Sequence, residues 1–476
     1  MTRRFARVPL LVTIAGLAGA AIAGGSVPDT NGRAAATLRE QQGGRDCALE
    51  FRAVITNGVA TTRFQSIPAS PTRSNYFAGG GVDAFCTNSD QRLLSDSAEQ
   101  YGDRRLLYLI GNVHYSENRV ELTADLITYY MAEERLVAEG NVVGRTSTGT
   151  RFRGPRAVYL RAKPGLRDRS RLDAGGRPDT WISGADAGTD GVEQDSTHVL
   201  ADSIISDNDS LIYARGNVEI LRPDLSATAD SAMLDQGNEI AALRRSPRVV
   251  GRGERKFTLE GTEIDIFSRN RQAERVRSAG SAKATSDEVL LAADTIDLRI
   301  TEQQLSRAIA WGTGGARATQ DARDITADSI DVNMPGQVLH SMHAVRRARA
   351  ESLADSTTIR SNEHDWFAGD TIVATFDTLA PGDSGAAGIR RLEALGSAQS
   401  WQQAARDGAT VPDSMPAINY MAGQSIAVEF GSDRTLSLVR VVGKVSGVLM
   451  QPTTDTLKQA LPAAVKRPPV PPGSNR

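Results

Sequence analysis

"LADSIISDNDSLIYARGNVEIL", residues 200–221, sets two runs of strand-forming residues around the turn-like "SDNDS". The first run carries Ala201-Asp202, the second Gly216-Asn217-Val218. Short polar side chains between apolar runs mark a turn, because they hydrogen-bond nearby backbone. The fragment predicts a hairpin. Its recurrence decides whether it is one hairpin or the unit of a larger fold.

It recurs. Asp-centred starts read "SDSAEQY" at Asp96, "TADLITYY" at Asp125, "TADSAML" at Asp230, "AADTIDLRI" at Asp294, "TADSIDVN" at Asp328 and "AGDTIVAT" at Asp370. Variant copies stand at Arg156, Thr262 and Gln424. With Asp202, successive starts are 29, 31, 46, 28, 32, 32, 34, 42 and 54 residues apart, a core period near 30 stretched by insertions. The second half-motif returns as Gly111-Asn112-Val113, Gly140-Asn141-Val142, Gly280-Ser281-Ala282, Gly396-Ser397-Ala398 and Gly443-Lys444-Val445. A fixed period of this size is the signature of a repeat architecture. One unit is two strands and two turns.

Alternation assigns the faces. Two residues after each start come Ile127, Ile204, Ala232, Ile264, Ile296, Ile330, Ile372 and Ile426. Four residues after come Tyr129, Leu234, Ile266, Leu298, Val332 and Val428. The residue between is polar, as at Ser203, Thr295 and Ser329. On the second strand Ile212, Ala214, Val218 and Ile220 share one parity. These residues predict a continuous apolar stripe, stacked unit by unit and partly accessible from outside. The glycines predict bends or bulges, and the aspartates and asparagines predict turn caps.

The rest of the chain frames this array. Its 476 residues have a net charge of −2, which gives no overall pull toward nucleic acid. Aromatics are 5%, too few for the girdles of an outer-membrane barrel. Residues 1–23 carry Arg3, Arg4 and Arg7, an apolar run from Val8 to Ala20, and Ala21-Ile22-Ala23, the layout of a cleaved signal peptide. An uncleaved anchor is the other reading; the run is short for a ~20-residue span. Both export the chain. In an exported protein Cys47 and Cys86 can close a disulfide, and two buried thiols are the alternative. Residues 24–45 read as a flexible lead, 46–90 as N-terminal cap strands, and 91–450 as the repeats. Within these, 163–198 reads as an insertion, with smaller ones at 378–388 and 402–416. The Pro-rich 451–476 reads as a disordered tail.

Two stretches, "ELTADLITYYMAEERLVAEGNVVG" (121–144) and 200–234, resemble the OstA-like, LptA-type family of periplasmic lipopolysaccharide-transport proteins. Its signature is an Ala-Asp strand, a turn, then Gly-Asn-Val opening the next strand. The resemblance covers roughly 91–450 and blurs after 260, where Ser-Ala or Gly-Thr replaces Asn-Val. It implies an all-β, elongated, V-shaped jellyroll open along one side. It implies a non-catalytic periplasmic bridge, peripheral to the inner and outer membranes, that shields the acyl chains of lipopolysaccharide or a related glycolipid. The implied partners are that lipid and, end to end, other jellyrolls or further copies of the chain. The length, the insertions and the N-terminal strands depart from smaller members and leave its place in a bridge open.

Catalytic chemistry is not prominent. His340-Ser-Met-His343 sets two imidazoles three residues apart in a strand or turn, without an evident third ligand. No metal or cofactor is expected. Carboxylates recur once per unit, which favours structure over a glycosidase-like pair. "LRRSPRVVGRGERK" (243–256) is either a contact for anionic head groups or a solvated edge. The competing classes are a β-solenoid adhesin or envelope structural protein and, behind it, a polysaccharide-acting enzyme.

Overall fold

The computed structural model describes residues 36–37 and 49–452, except 58, 88, 183–196, 208–209, 253–255, 287–288, 321–322, 355, 378–387, 406–414 and 432–435. Residues 1–23, read above as a signal peptide, most of 24–45 and of 451–476, and Cys47 lie outside the described residues. Twenty-nine described strands form one sheet, and the pairings throughout are between antiparallel neighbours. The expected all-β, elongated, jellyroll-like fold is what forms. Each strand runs hairpin-wise into the next, as Val120–Tyr130 does into Arg135–Thr146 and on into Thr150–Leu160.

Every second strand is creased at its middle. In Arg135–Thr146 the register to both neighbours shifts after Glu139, at Gly140-Asn141. Both residues are left-handed, with φ 75° and 46°. The same pair of angles returns at Gly111-Asn112, Gly216-Asn217, Gly280-Ser281, Gly396-Ser397 and Gly443-Lys444. Gly80-Gly81, Gly176-Arg177, Arg245-Ser246 and Arg346-Arg347 repeat it without the motif. Two left-handed residues make a bulge that bends a strand and twists it further. Aligned from strand to strand, the bulges divide the sheet into two leaves that double over on a common line. Ile212 and Ala214 before the crease and Val218 and Ile220 after it therefore belong to one core.

Two expectations change here. Gly-Asn-Val does not open a strand; it lies at the middle of one, and the strand passes through it. The aspartates are not at turns either. Asp125 sits inside Val120–Tyr130, opposite the crease of the next strand, and accepts a hydrogen bond from Asn141 Nδ2 at 2.8 Å. Asp96 does the same for Asn112 at 2.9 Å and Asp202 for Asn217 at 3.0 Å. Where Asn is lost the first strand still supplies the partner. Thr262 Oγ1 donates to the Gly280 carbonyl, Asp294 accepts from the Thr313 N–H, and Asp328 accepts from Arg347 Nε. The Thr313 hydroxyl, then the N–H groups of Thr313 and Gly314, hold the Asp294 carboxyl below its usual range.

At Gly111, Gly140, Gly216 and Gly396 the partner carboxylate occupies the space a side chain would take, whereas arginine fills the equivalent place at Arg245 and Arg346. A Cβ on Gly216 would stand 2.2 Å from Asp202 Oδ2, and its φ is +76°. Gly216→Ala is therefore expected to cost ~1–3 kcal/mol, the range for local backbone strain, before the clash is relieved. Gly237→Ala, whose added Cβ meets nothing nearer than 3.4 Å, is the control. Urea midpoints of the two variants check this. Equal shifts would mean that the crease tolerates a side chain.

The segments outside the repeat join the same sheet. Arg73–Cys86 pairs along one half with Arg63–Ser70 and along the other with Leu49–Ala53, and its crease is Gly80-Gly81. The expected cap is thus the first turn of the same meander. Inside 163–198, Arg171–Gly175 and Asp179–Ile182 are two halves of a strand broken at Gly176-Arg177. They pair with Thr150–Leu160 on one side. The interruption narrows to 161–170 and to 183–196, the latter outside the described residues.

Candidate functional site: the interior between the leaves

The apolar stripe lies inside. Ile127, Ile264, Ile296, Ile330 and Ile426 are fully buried, as are Ile212, Leu298 and Val332. Ile372, Tyr129, Val218, Ile220 and Ile266 are 1% exposed, Ile204 4% and Leu234 8%. The expectation of partial accessibility is therefore not met, and the leaves close on each other. Register shows why the stripe is continuous. Ile296 pairs with Ala310, Ala310 with Ile330, Ile330 with Ala344, Ala344 with Ile372, Ile372 with Ala394, and Ala394 with Ile426. Large and small residues alternate along this ladder, so one leaf offers both projections and recesses to the other. The sequence showed the isoleucines. The alanines of this ladder, Ala310, Ala344 and Ala394, each two residues before a crease or its first glycine, were the signal it also held.

The interior has two parts. One cluster of buried side chains runs from Phe51 to Ala174, the other from Ile182 to Val428. Away from the crease, where the turns of the two leaves meet, each part has a polar closure. In the first, Arg161 Nε donates to Glu117 at 2.8 Å and its Nη1 to Glu134 at 2.5 Å. Tyr115 and Tyr159 donate to Glu117, and Tyr129 to Glu134 at 2.7 Å. Side-chain exposure is 18% for Arg161, 7% for Glu117 and 11% for Glu134. Burial, then the charge of Glu117, raises the Tyr115 and Tyr159 phenols well above their ordinary value; burial and Glu134 do so for Tyr129. All three phenols stay neutral donors. Glu117 lies in the turn of one leaf and Arg161 at the rim of the other, so the cluster joins the two rims.

A second closure uses Arg222 and Asp224 in the turn after Leu211–Leu221. Arg222 donates to Ser268 Oγ at 2.9 Å and to the Arg271 carbonyl, and Asp224 accepts the Ala273 N–H at 2.8 Å. Gln236 Nε2 reaches Thr150 Oγ1 at 3.2 Å across the same mouth. Nothing in the sequence marks these contacts, because the partners lie in turns tens of residues apart.

Further along, the mouth is apolar. Phe257, Val289 and Leu291 from one leaf face Leu305 and Met334 from the other around a small cavity of about 20 Å³, so the leaves nearly touch here as well. It continues inward to Leu298 and Val332 of the stripe.

The other candidates are placed as follows. Cys86 is buried and disulfide-bonded; Cys47, the one other cysteine in the chain, lies outside the described residues. His343 is in strand Ser341–Leu353, and the N–H of His340 bonds the Asn333 carbonyl. Among the described residues no group of three His, Cys, Asp or Glu is placed to hold a metal ion. In the Arg-rich stretch, Arg244 pairs with Glu263 and Asp265, and Arg248 with Glu260. That fits the solvated-edge reading.

No protein-family model and no curated protein matches the chain. Among solved structures it is similar to LptH, the LptA-homologous periplasmic component of the lipopolysaccharide transport device from Pseudomonas aeruginosa. The two are 11% identical with a TM-score of 0.16, over 33% of this chain and 84% of that one.

Proposed function

We propose that the protein is a non-catalytic carrier of the cell envelope. It is exported to the periplasm, where the interior between its leaves shields acyl chains of lipopolysaccharide or a similar glycolipid on the way to the outer membrane. The observation that carries this reading is the Ile–Ala ladder: one apolar surface repeated from unit to unit along the sheet. Each CH₂ taken out of water is worth ~0.8 kcal/mol, so a multi-chain lipid cannot cross an aqueous space unaided. Repeated equivalent contacts offset that cost at every step and leave no deep trap. For lipid to enter, the leaves must part from the closed state, with the crease as the natural hinge line.

The terminal strands supply the ends of a bridge. Phe64 and Ile67 are 43% and 44% exposed on Arg63–Ser70; Val442 is 50% and Leu449 62% exposed on the last strands. Edge strands with unpaired backbone groups are templates for strand addition. The partners in this reading are therefore lipid, and jellyrolls of the same or another chain joined end to end, without nucleic acid.

A filled interior favours a second reading, an envelope structural protein of stacked β units. Purification from a Gram-negative host followed by mass spectrometry of extracted lipid separates the two. Lipopolysaccharide or another long-chain envelope lipid is expected in the extract. A folded protein carrying no lipid overturns the carrier reading in favour of the structural one.

A further inference from the structure

The two polar closures and the apolar stretch beyond them differ in what it costs to part the leaves. At Arg161, separation pulls a guanidinium from Glu117 and strips Tyr159 of its acceptor. At Arg222, it breaks the bonds to Ser268 and from Ala273 to Asp224. Each leaves charged or polar groups without partners, and an apolar guest restores none of them. Between Phe257 and Met334 the facing side chains are apolar, and their contacts are non-directional. A methylene chain inserted there replaces each lost contact with an equivalent one.

We infer that lateral access to the interior lies at this stretch of the mouth rather than at either polar closure, and that a single unbranched alkyl chain enters there, between Phe257 and Met334, as the leaves part. The inference rests on the carrier reading and adds a position and a ligand shape to it. Among the described residues no charged side chain lines the cavity, so the wall has nothing to offer an ionised head group, which stays outside while the chain enters. Thr285 and Ser286 are the polar residues in its wall. The cavity leads directly to Leu298 and Val332, so a chain that enters is already on the stripe. The polar closures then act as fixed staples of the neighbouring sections, and lipid reaches those sections along the interior.

The test uses the delipidated full chain and a long-chain fatty acid carrying a diazirine at its methyl end. After brief incubation and illumination, cross-linked peptides are mapped by mass spectrometry. Labelling is expected first at Leu291, Leu305 and Met334, with Leu107 and Leu109 of the stapled section at background. Early labelling at Leu107 or Leu109 equal to that at Met334 overturns the inference and leaves the carrier reading standing. Absence of labelling at any interior residue overturns both. As a second arm, Val289→Cys with Met334→Cys is bridged by a short bis-maleimide. Interior labelling is expected to be lost on bridging and kept in the unbridged double variant. Labelling that persists after bridging overturns the inference.

Discussion

Ile296→Asp is expected to unfold the central part of the sheet outright. Ile296 is fully buried, set between Ser278 and Ala310 on the adjoining strands and on the same face as Ile264 and Ile330. Truncating such a side chain to alanine alone costs ~2–5 kcal/mol through lost transfer energy and the cavity left behind. A carboxylate adds the penalty of a buried charge with no partner, several kcal/mol more unless it takes up a proton. The sum approaches the whole stability of a typical domain, ~5–15 kcal/mol. The damage should be regional, since stacked units touch only their neighbours. Hydrogen exchange is expected to lose protection across 263–333 while strands between 106 and 160, whose buried side chains form a separate cluster, keep theirs. Thr301→Asp, at an exposed position, should change stability by no more than ~0.5 kcal/mol. A variant with Asp at 296 that keeps wild-type protection would show that the stripe does not hold the leaves together.

Arg161→Met should be nearly as severe, by another mechanism. It leaves Glu117 and Glu134 facing each other in a largely buried site without their cation, and removing one partner of a buried ion pair costs ~3–5 kcal/mol. The diagnostic is recovery. Adding Glu117→Gln and Glu134→Gln removes both negative charges and keeps acceptors for the three phenols. Most of the stability should return. The triple variant being no more stable than the single one, by urea unfolding, would mean that Arg161 acts through packing of its stem.

Much of this architecture was legible because its information is local. Period-two alternation placed Ile204, Ile264 and Ile330 inward, and glycine before Asn141 or Asn217 announced a bend. What was missed depends on register. Asp125 and Asn141 are 16 residues apart, and only the pairing of their strands shows that one holds the other at a crease rather than capping a turn. Strand Arg171–Gly175 was hidden because its crease, Gly176-Arg177, lacks the Asn-Val that flags the others. The Arg161 cluster gathers Glu117, 44 residues away, and Glu134, 27 away, from turns whose sequences read as ordinary solvated loops. The stripe was found but its closure was not, since alternation reports which face is apolar and not how tightly a second face covers it.

The crease is decided between one strand and the next. Nothing in it refers to the strands further off or to the number of strands in the chain. A duplicated hairpin carrying its own Asp and Gly-Asn pair, inserted outside the Arg161 and Arg222 closures, would fold in place and lengthen the molecule by one increment, with the other creases unchanged. Length is thus a quantity that the gene can adjust in whole steps. A protein built this way is graduated like a ruler, and its length can change without redesigning a single crease.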